Sequence, residues 1–424
     1  MSHQGNKSIV ELLIGPAGSG KTHACLNAIR TELKQRPDGA PLLLLAPKQS
    51  TFQMEHALLS DPDLHGYSRL QILSFDRLAE FILSECGMGA RGLLSEEGRI
   101  MVMRALLNQI RDQLRLFHAA AKLPGLAQEL SRVIREFQQN RTSPTRLLEL
   151  AESEHLPTRI RYKLHDIALL YRDYQSWIDN KQLHDPDCLL DMAADALRTL
   201  GRSNHASKPF WLGGLWMDGF AALTPQERQL LTLLAPLSKK TTLAFCADSF
   251  PDQQREIFSI WLPTHQTLRH CLHDFASLDE VEVKRTVLKR TPQYGRFTSD
   301  IMLGYLEENW TRPAPFEGNG SPKPQSGDQL QLGLDESNLA PQKQSITITA
   351  CQSREAEAIH AARNILKHVR DGGMRFHQMA VLVRSLPHYQ EVVRHVFDRY
   401  DIPCFIDRRE SIAHHPLIEL TEAP

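Results

Sequence analysis

The residues with the clearest chemical signature are GPAGSGKT, near the start of the chain, which fit the phosphate-loop pattern G-x-x-x-x-G-K-[ST]. Glycines in this pattern let the backbone wrap closely around an anion, and the amides that open the next helix point at its phosphates. Lys21 can reach the β- and γ-phosphates, and the Thr22 hydroxyl can ligate Mg²⁺. The pattern predicts a site for ATP with Mg²⁺. Its candidate residues are Gly15, Pro16, Ala17, Gly18, Ser19, Gly20, Lys21 and Thr22.

Nucleotide hydrolysis would need further carboxylates. The apolar run WLGGLWM ends at Asp218, which suits a residue that orders Mg²⁺, although an aspartate there could equally serve a turn or cap a helix. Many ATPases place a glutamate directly after this aspartate to activate water, whereas this chain has Gly219. The nearest carboxylate, Glu227, lies inside the next predicted helix. We therefore expect ATP binding with weak or absent turnover.

Apolar runs and helical periodicity place the loop in an α/β fold. Several strands are apolar on both faces and alternate with helices, which predicts a parallel sheet covered on both sides. The predicted strands are 8–14, 42–46, 70–73, 209–215 and 241–247, and the helix patterns between them include 20–35, 52–59, 75–86 and 225–234. From about 91 to 206 only helical periodicity remains, which predicts an all-helical insertion.

A segment rich in Pro, Gly, Gln and Ser separates this part from a second α/β unit. That unit is predicted to contain strands at 345–350 and 379–384, with helices at 355–370 and 389–400, and it looks incomplete where the chain stops. The expected domains are a first part of the phosphate-loop domain at 1–90, the insertion at 91–206, the second part of the phosphate-loop domain at 207–310, a linker at 311–344 and the second unit at 345–424.

Composition excludes several classes of protein. The 424 residues carry 49 Lys and Arg against 50 Asp and Glu, so the net charge of −1 excludes a histone-like or polybasic membrane protein. A local groove for nucleic acid stays possible. No apolar run is long enough for a membrane helix, and the seven cysteines are scattered without a C-x-x-C pair. We expect a cytoplasmic protein that does not associate with membranes.

Four blocks outside the phosphate loop resemble the AddB-type subunit of bacterial AddAB helicase–nucleases. They are LLLLAPKQSTFQMEHAL at 42–58, LSFDRLAEFIL at 73–83, WMDGFAALTPQERQLL at 216–231, and the stretch from VLVRSLPHYQ to HHPLIEL at 381–420. The resemblance implies a superfamily 1 helicase-like fold whose motor is largely inert. It also implies an AddA-type partner that unwinds DNA, with the complex resecting double-strand breaks for recombination and reading a regulatory sequence.

The family pattern continues well beyond this chain. AddB-type subunits end in a nuclease with an iron–sulfur cluster held by clustered cysteines, and this chain stops inside the second helicase-like domain. The resemblance therefore implies that the nuclease and its iron–sulfur cluster lie outside these residues.

Further candidate contacts lie outside the phosphate loop. Arg384, after the strand MAVLVR, occupies a place where superfamily 1 enzymes put an arginine on the γ-phosphate, unless it is an ordinary surface arginine. Gln49, Phe52 and Gln53 follow the second strand and could touch single-stranded DNA, with Phe52 stacking on a base. The alternative is that Ser50 caps the helix and Phe52 joins the core.

Two rival functions remain open at this point. The first is a stand-alone phosphate-loop enzyme such as a small-molecule kinase, which would need a lid with catalytic arginines. The second is a non-catalytic interaction scaffold in which the loop is vestigial. Basic stretches at 159–163 and 284–290 could track phosphates, although such runs more often form a solvated face.

Overall fold

A parallel sheet of six strands organises residues 1–316, the first of two units into which the chain divides in a computed structural model. The structure describes residues 7–87, 92–181, 183–202, 211–251, 260–290, 296–297, 300–316 and 345–406. The strands are β1 Ser8–Gly15, β2 Leu42–Leu45, β3 Leu70–Leu73, β4 Gly214–Met217, β5 Lys240–Cys246 and β6 Val281–Val287. Their order is β3-β2-β4-β5-β1-β6, and every neighbouring pair is parallel. The predicted α/β class is confirmed.

Two strand predictions need correction. The strand predicted at 209–215 is observed over Gly214–Met217, because it is the later residues that pair with β2 and β5; positions 209 and 210 lie outside the described residues. Strand β6 was not predicted at all. It lies at the edge of the sheet, and most of its residues are at least partly exposed, so it lacks the continuous apolar run that marks a buried strand.

The central strands are mostly apolar because both faces of the sheet are covered, and β2 and β4 are buried at every residue. Leu43 and Leu45 point into one core, whereas Leu42 and Leu44 point into the other, as the two-residue period of a strand requires. Helices on both sides supply the remaining core residues. They include α1 Lys21–Gln35 and α2 Thr51–Leu59 on one face, and α3 Phe75–Glu85, α8 Leu189–Arg202, α9 Pro225–Leu234 and α10 Leu262–Ala276 on the other.

Helices fill the chain between β3 and β4. After α3, they are α4 Glu96–Gln109, α5 Pro124–Gln139, α6 Pro144–Glu152, α7 Thr158–Lys181 and α8. The four helices α4 to α7 have a hydrophobic core of their own, built around residues such as Met103, Ile134 and Tyr171. Helix α8 packs instead with α3 beside the sheet. A further helix, α11 Ile301–Glu308, follows β6.

A buried arginine joins the helices of the insertion. Arg99 of α4 is 1% exposed and donates to Asp185 Oδ1 at 3.0 Å, to Asp187, and to Gln138 Oε1 at 2.8 Å. The Tyr174 hydroxyl donates to the other oxygen of Asp185 at 2.9 Å, and its ring lies 5.4 Å from the Arg99 guanidinium carbon. One charged network thus links α4, α5, α7 and the segment that leads into α8.

The second unit, residues 317–424, contains two packed helices, α12 Arg354–Gly372 and α13 Leu386–Arg399. The two predicted helices are confirmed, but the strands predicted at 345–350 and 379–384 are wrong for the described residues. A strand needs a hydrogen-bonded neighbour, and neither segment has one there. Ile348 and Leu382 accordingly stay 95% and 94% exposed. Most of the predicted linker, 317–344, lies outside the described residues.

Candidate nucleotide-binding site

The phosphate loop lies at the carboxyl edge of the sheet, between β1 and the first turn of α1. Gly20 has φ +93°, a conformation that glycine adopts without strain. Gly20, the residue that precedes α1, has no side chain with which to cap the helix, and the first turn of α1 carries no acidic residue. Its first backbone amides have no intrahelical acceptor, so they can bind an anion together with the positive end of the helix dipole.

Lys21 folds back across the loop. Its Nζ donates to the carbonyl oxygens of Gly15 at 2.7 Å and Pro16 at 2.8 Å. Burial lowers the pKa of Lys21, and the nearby thiol of Cys246 and carboxylate of Asp218 oppose that shift. The buried Ser19 hydroxyl has no hydrogen-bond partner in the described part of the chain. An ammonium group at the loop and an unsatisfied hydroxyl both fit a site that binds phosphate oxygens.

Thr22 and Asp218 meet although 196 positions separate them in the chain. The Thr22 hydroxyl donates to Asp218 Oδ2 at 2.5 Å, and the Asp218 backbone N–H donates to Leu45 O at 3.0 Å. The pairing of β2 with β4 therefore holds this carboxylate beside the phosphate loop. Hydroxyl, carboxylate and phosphate oxygens are the ligands that Mg²⁺ prefers, so the residues present fit the cation.

The backbone conformation at the position after Asp218 disfavours a glutamate there. Gly219 has φ +89°, and a Cβ built on it would lie 3.0 Å from Pro47 Cδ. The backbone at this position therefore favours glycine itself. The alternative carboxylate, Glu227, closes a capping box at the start of α9, where Thr224 N–H donates to its Oε2 at 2.7 Å.

Gly219→Glu is therefore expected to lower the free energy of unfolding by about 1–3 kcal/mol, because a non-glycine residue at a left-handed φ is strained. We expect no gain in ATP turnover, since the new carboxylate would sit on a displaced backbone. Denaturant unfolding and phosphate release measure the two effects. Gly219→Ala is the matched control, with the same backbone cost and no carboxylate, and a strong rise in turnover confined to Gly219→Glu would contradict the prediction.

Glu227 predicts a pH dependence of stability. Burial raises the pKa of Glu227, so the folded chain binds its proton more tightly than the unfolded chain does. The folded state therefore loses stability as the pH rises from the ordinary glutamate pKa through the raised one. Glu227→Gln keeps an acceptor for the capping box and removes this titration. The melting temperatures of the two proteins should approach each other at acid pH, and Glu227→Gln should melt at the higher temperature near neutral pH. A difference in melting temperature that does not change with pH would contradict this prediction.

The structure also brings residues to the loop that the sequence analysis missed. A Cβ built on Gly18 would lie 3.1 Å from Arg296 Cβ and 3.2 Å from Phe297 Cε2, and Leu288 N–H donates to Ile14 O at 2.8 Å. The chain after β6 thus lies against the loop and adds a second cation. The alternating sequence VEVKRTV at 281–287 is the signal that could have located this strand and the segment after it.

The candidate DNA contacts lie on the surface. Gln49, Phe52 and Gln53 are exposed, with Phe52 at 74%. The alternative interpretation of Phe52 as a core residue is wrong, and the Ser50 hydroxyl donates to Pro47 O at 2.9 Å instead of capping α2. Arg384 belongs to the second unit, where it is exposed, and its role on the γ-phosphate stays a prediction.

Clustered metal ligands and membrane-spanning helices are both absent from the described ranges. There, no group of three or more His, Cys, Asp or Glu side chains is placed to hold a metal ion. None of the helices in the same ranges combines the length and apolar character that crossing a membrane requires.

Comparison with known proteins gives the family. A family model described as "ADDB, N-terminal" matches residues 12–307, which is more than half of the chain. The chain belongs to the AddB family. The resemblance drawn from the sequence blocks is thereby confirmed.

Curated relatives of this AddB-family chain are named as subunits of an "ATP-dependent helicase/deoxyribonuclease". The protein from Desulforudis audaxviator is 35% identical over 418 residues, covering 97% of this chain and 33% of its own length. The one from Moorella thermoacetica is 35% identical over 426 residues, covering 98% and 34%. The one from Symbiobacterium thermophilum is 33% identical over 422 residues, with the same coverage. The chain thus spans about a third of the length of the curated relatives it matches.

Proposed function

We propose that this AddB-family chain holds Mg·ATP and forms the nucleotide-binding part of a subunit in a helicase–nuclease that processes DNA ends. The observation that carries the proposal is the pairing of Thr22 with Asp218 beside an uncapped helix start, in a chain whose relatives are named as ATP-dependent. The work of the complex would be resection of double-strand breaks for homologous recombination, in the cytoplasm.

The nucleotide would be held by the chain's own groups in distinct roles. The amides of the phosphate loop and the Lys21 ammonium bind the phosphates, while Thr22 and Asp218 hold Mg²⁺. When bound, Mg²⁺ neutralises phosphate charge. Arg384 is proposed as a further γ-phosphate contact.

We propose that turnover is weak. The position after Asp218 holds Gly219 at a left-handed φ, and Glu227 is engaged in a helix cap. Neither supplies a carboxylate free to activate water, so the site suits nucleotide holding better than a motor. The chain would then serve as scaffold and DNA-recognition part, with Gln49, Phe52 and Gln53 among its DNA contacts.

The proposed architecture follows superfamily 1 helicases. Residues 1–90 and 207–310 would form the phosphate-loop domain, 91–206 its helical insertion, 311–344 a linker and 345–424 the start of a second helicase-like domain. An AddA-type subunit would act as the partner and supply unwinding. The nuclease and its iron–sulfur cluster would belong to the part of the relatives that this chain does not span.

The test is titration of the chain with a fluorescent ATP analogue, with and without Mg²⁺, beside phosphate release with and without DNA ends. We expect Mg²⁺-dependent binding and negligible release. Thr22→Val and Asp218→Asn should remove the Mg²⁺ dependence, whereas Thr31→Val, which removes an exposed hydroxyl from the same helix, should not.

Other outcomes point to different functions. Robust DNA-stimulated release would make the chain a motor and overturn nucleotide holding. Absence of binding in a folded sample would favour a scaffold with a vestigial loop. Phosphoryl transfer to a small acceptor without DNA would favour a kinase. Co-purification with a co-expressed AddA-type subunit tests the proposed partner.

A further inference from the structure

One surface of the helical insertion combines unpaired cations with an exposed aromatic ring. Arg159, Tyr162 and Lys163 lie in the first turns of α7, at spacings that bring side chains together on one side of a helix. Arg115, from the loop after α4, places its guanidinium carbon 5.7 Å from the centre of the Tyr162 ring. All four side chains are exposed, and they are called here the insertion patch.

A buried carboxylate fixes this arrangement. Asp166, one turn after Tyr162 on α7, is 1% exposed and accepts backbone N–H groups from Arg115 at 2.8 Å, Leu116 at 2.7 Å and Phe117 at 2.9 Å. These three hydrogen bonds hold the loop against α7. The Arg115 side chain is therefore already placed beside the Tyr162 ring before any ligand binds. The Asp166 charge is directed into the protein and leaves the outer face of the patch cationic.

The cations of the insertion patch differ from many others on the same insertion. Four exposed arginines there pair with a carboxylate one or three residues away; the pairs are Arg132–Glu129, Arg146–Glu149, Arg172–Asp173 and Arg198–Asp195. Arg115, Arg159 and Lys163 have no ion-pair partner in the described part of the chain. Their positive charge is therefore available to a partner.

We propose that the insertion patch binds single-stranded DNA, an inference that rests on the proposed function and names a surface for it. Arg159 and Lys163 contact successive phosphates, and an unstacked base lies on the Tyr162 ring beside the Arg115 guanidinium. The ring selects a single strand because the bases of a duplex are already stacked on each other. An acidic peptide could pair with the positive charges, but its carboxylates would not stack on the Tyr162 ring.

Fluorescence anisotropy with a labelled oligothymidylate tests this on the full chain. Tyr162→Ala should weaken binding by about 5- to 100-fold with an unchanged salt dependence, since stacking releases no counterions. The double variant Arg159→Gln/Lys163→Gln should reduce the slope of log affinity against log salt by about 1.4, from two lost phosphate contacts. The matched control Arg132→Gln/Arg146→Gln removes equal charge from paired positions and should change the slope little.

The outcomes of these binding measurements distinguish the insertion patch from its alternatives. Equal losses of DNA affinity in the two double variants would mean that DNA is attracted by the overall surface charge, and this would overturn the insertion patch as a binding site. No effect of Tyr162→Ala, with polyglutamate competing as well as DNA, would replace the nucleic acid by an acidic peptide. Failure of the unaltered chain to bind any DNA would overturn both the patch and the DNA part of the proposed function. Retained ATP binding by every variant would show that the fold and the nucleotide site are intact.

Discussion

Replacing Lys21 with alanine is expected to weaken ATP binding by about 10- to 100-fold. The Nζ group donates to the carbonyl oxygens of Gly15 and Pro16 in the structure, so it lies at the mouth of the loop that would receive the phosphates. A hydrogen bond to a charged group contributes about 1.5–3 kcal/mol, and alanine removes both the charge and the donor. Titration with a fluorescent ATP analogue measures the loss.

The same lysine predicts a pH dependence of affinity. Burial lowers the pKa of Lys21, and only the protonated form attracts phosphate. ATP affinity should therefore be highest below this lowered pKa and fall as the pH rises through it. The fall should begin at a lower pH than it would for an exposed lysine. Lys21→Ala should lose this dependence. Lys34→Ala, on the last turn of α1 with a surface pair to Asp61, is the control and should change neither quantity. Unchanged affinity in Lys21→Ala would contradict the proposed site.

Replacing Arg99 with leucine is expected to lower the free energy of unfolding of the insertion by about 3–5 kcal/mol. The substitution leaves the buried Asp185 without its cation, whereas Asp187 keeps its pair with Arg135, and the cost of the uncompensated buried charge on Asp185 is the largest single effect we expect on stability. Helix α4 would also lose its link to Gln138 of α5. Urea unfolding followed by circular dichroism measures the change.

Two variants separate the buried network from charge alone. Arg132→Leu removes an exposed pair with Glu129 and should cost less than about 1 kcal/mol. Arg99→Lys keeps the charge but loses the planar fork that reaches several acceptors at once, so it should fall between the two. If Arg99→Leu were no more costly than Arg132→Leu, the network would contribute little to the stability of the insertion.

The sequence by itself determined those features of this protein that arise from residues close together in the chain. The phosphate loop is one contiguous motif, and the apolar runs that became β1, β2 and β5 lie mostly buried within the sheet, so composition alone marks them. The long stretch of helical periodicity likewise predicted helices α4 to α8, because an amphipathic helix carries its 3.6-residue period in its own sequence. The AddB family followed from blocks of specific residues.

Only the tertiary structure decided the features that depend on distant partners. Pairing of β2 with β4 brings Asp218 to Thr22, and the left-handed φ of Gly219 follows from how the chain leaves that strand. Strand β6 is an exposed edge, so its sequence contains no buried run, and the approach of Arg296 to the loop went unpredicted with it. The apolar segments of the second unit look like strands by composition, yet they do not form them there, because a strand is made by hydrogen bonds to a neighbour and not by its own residues.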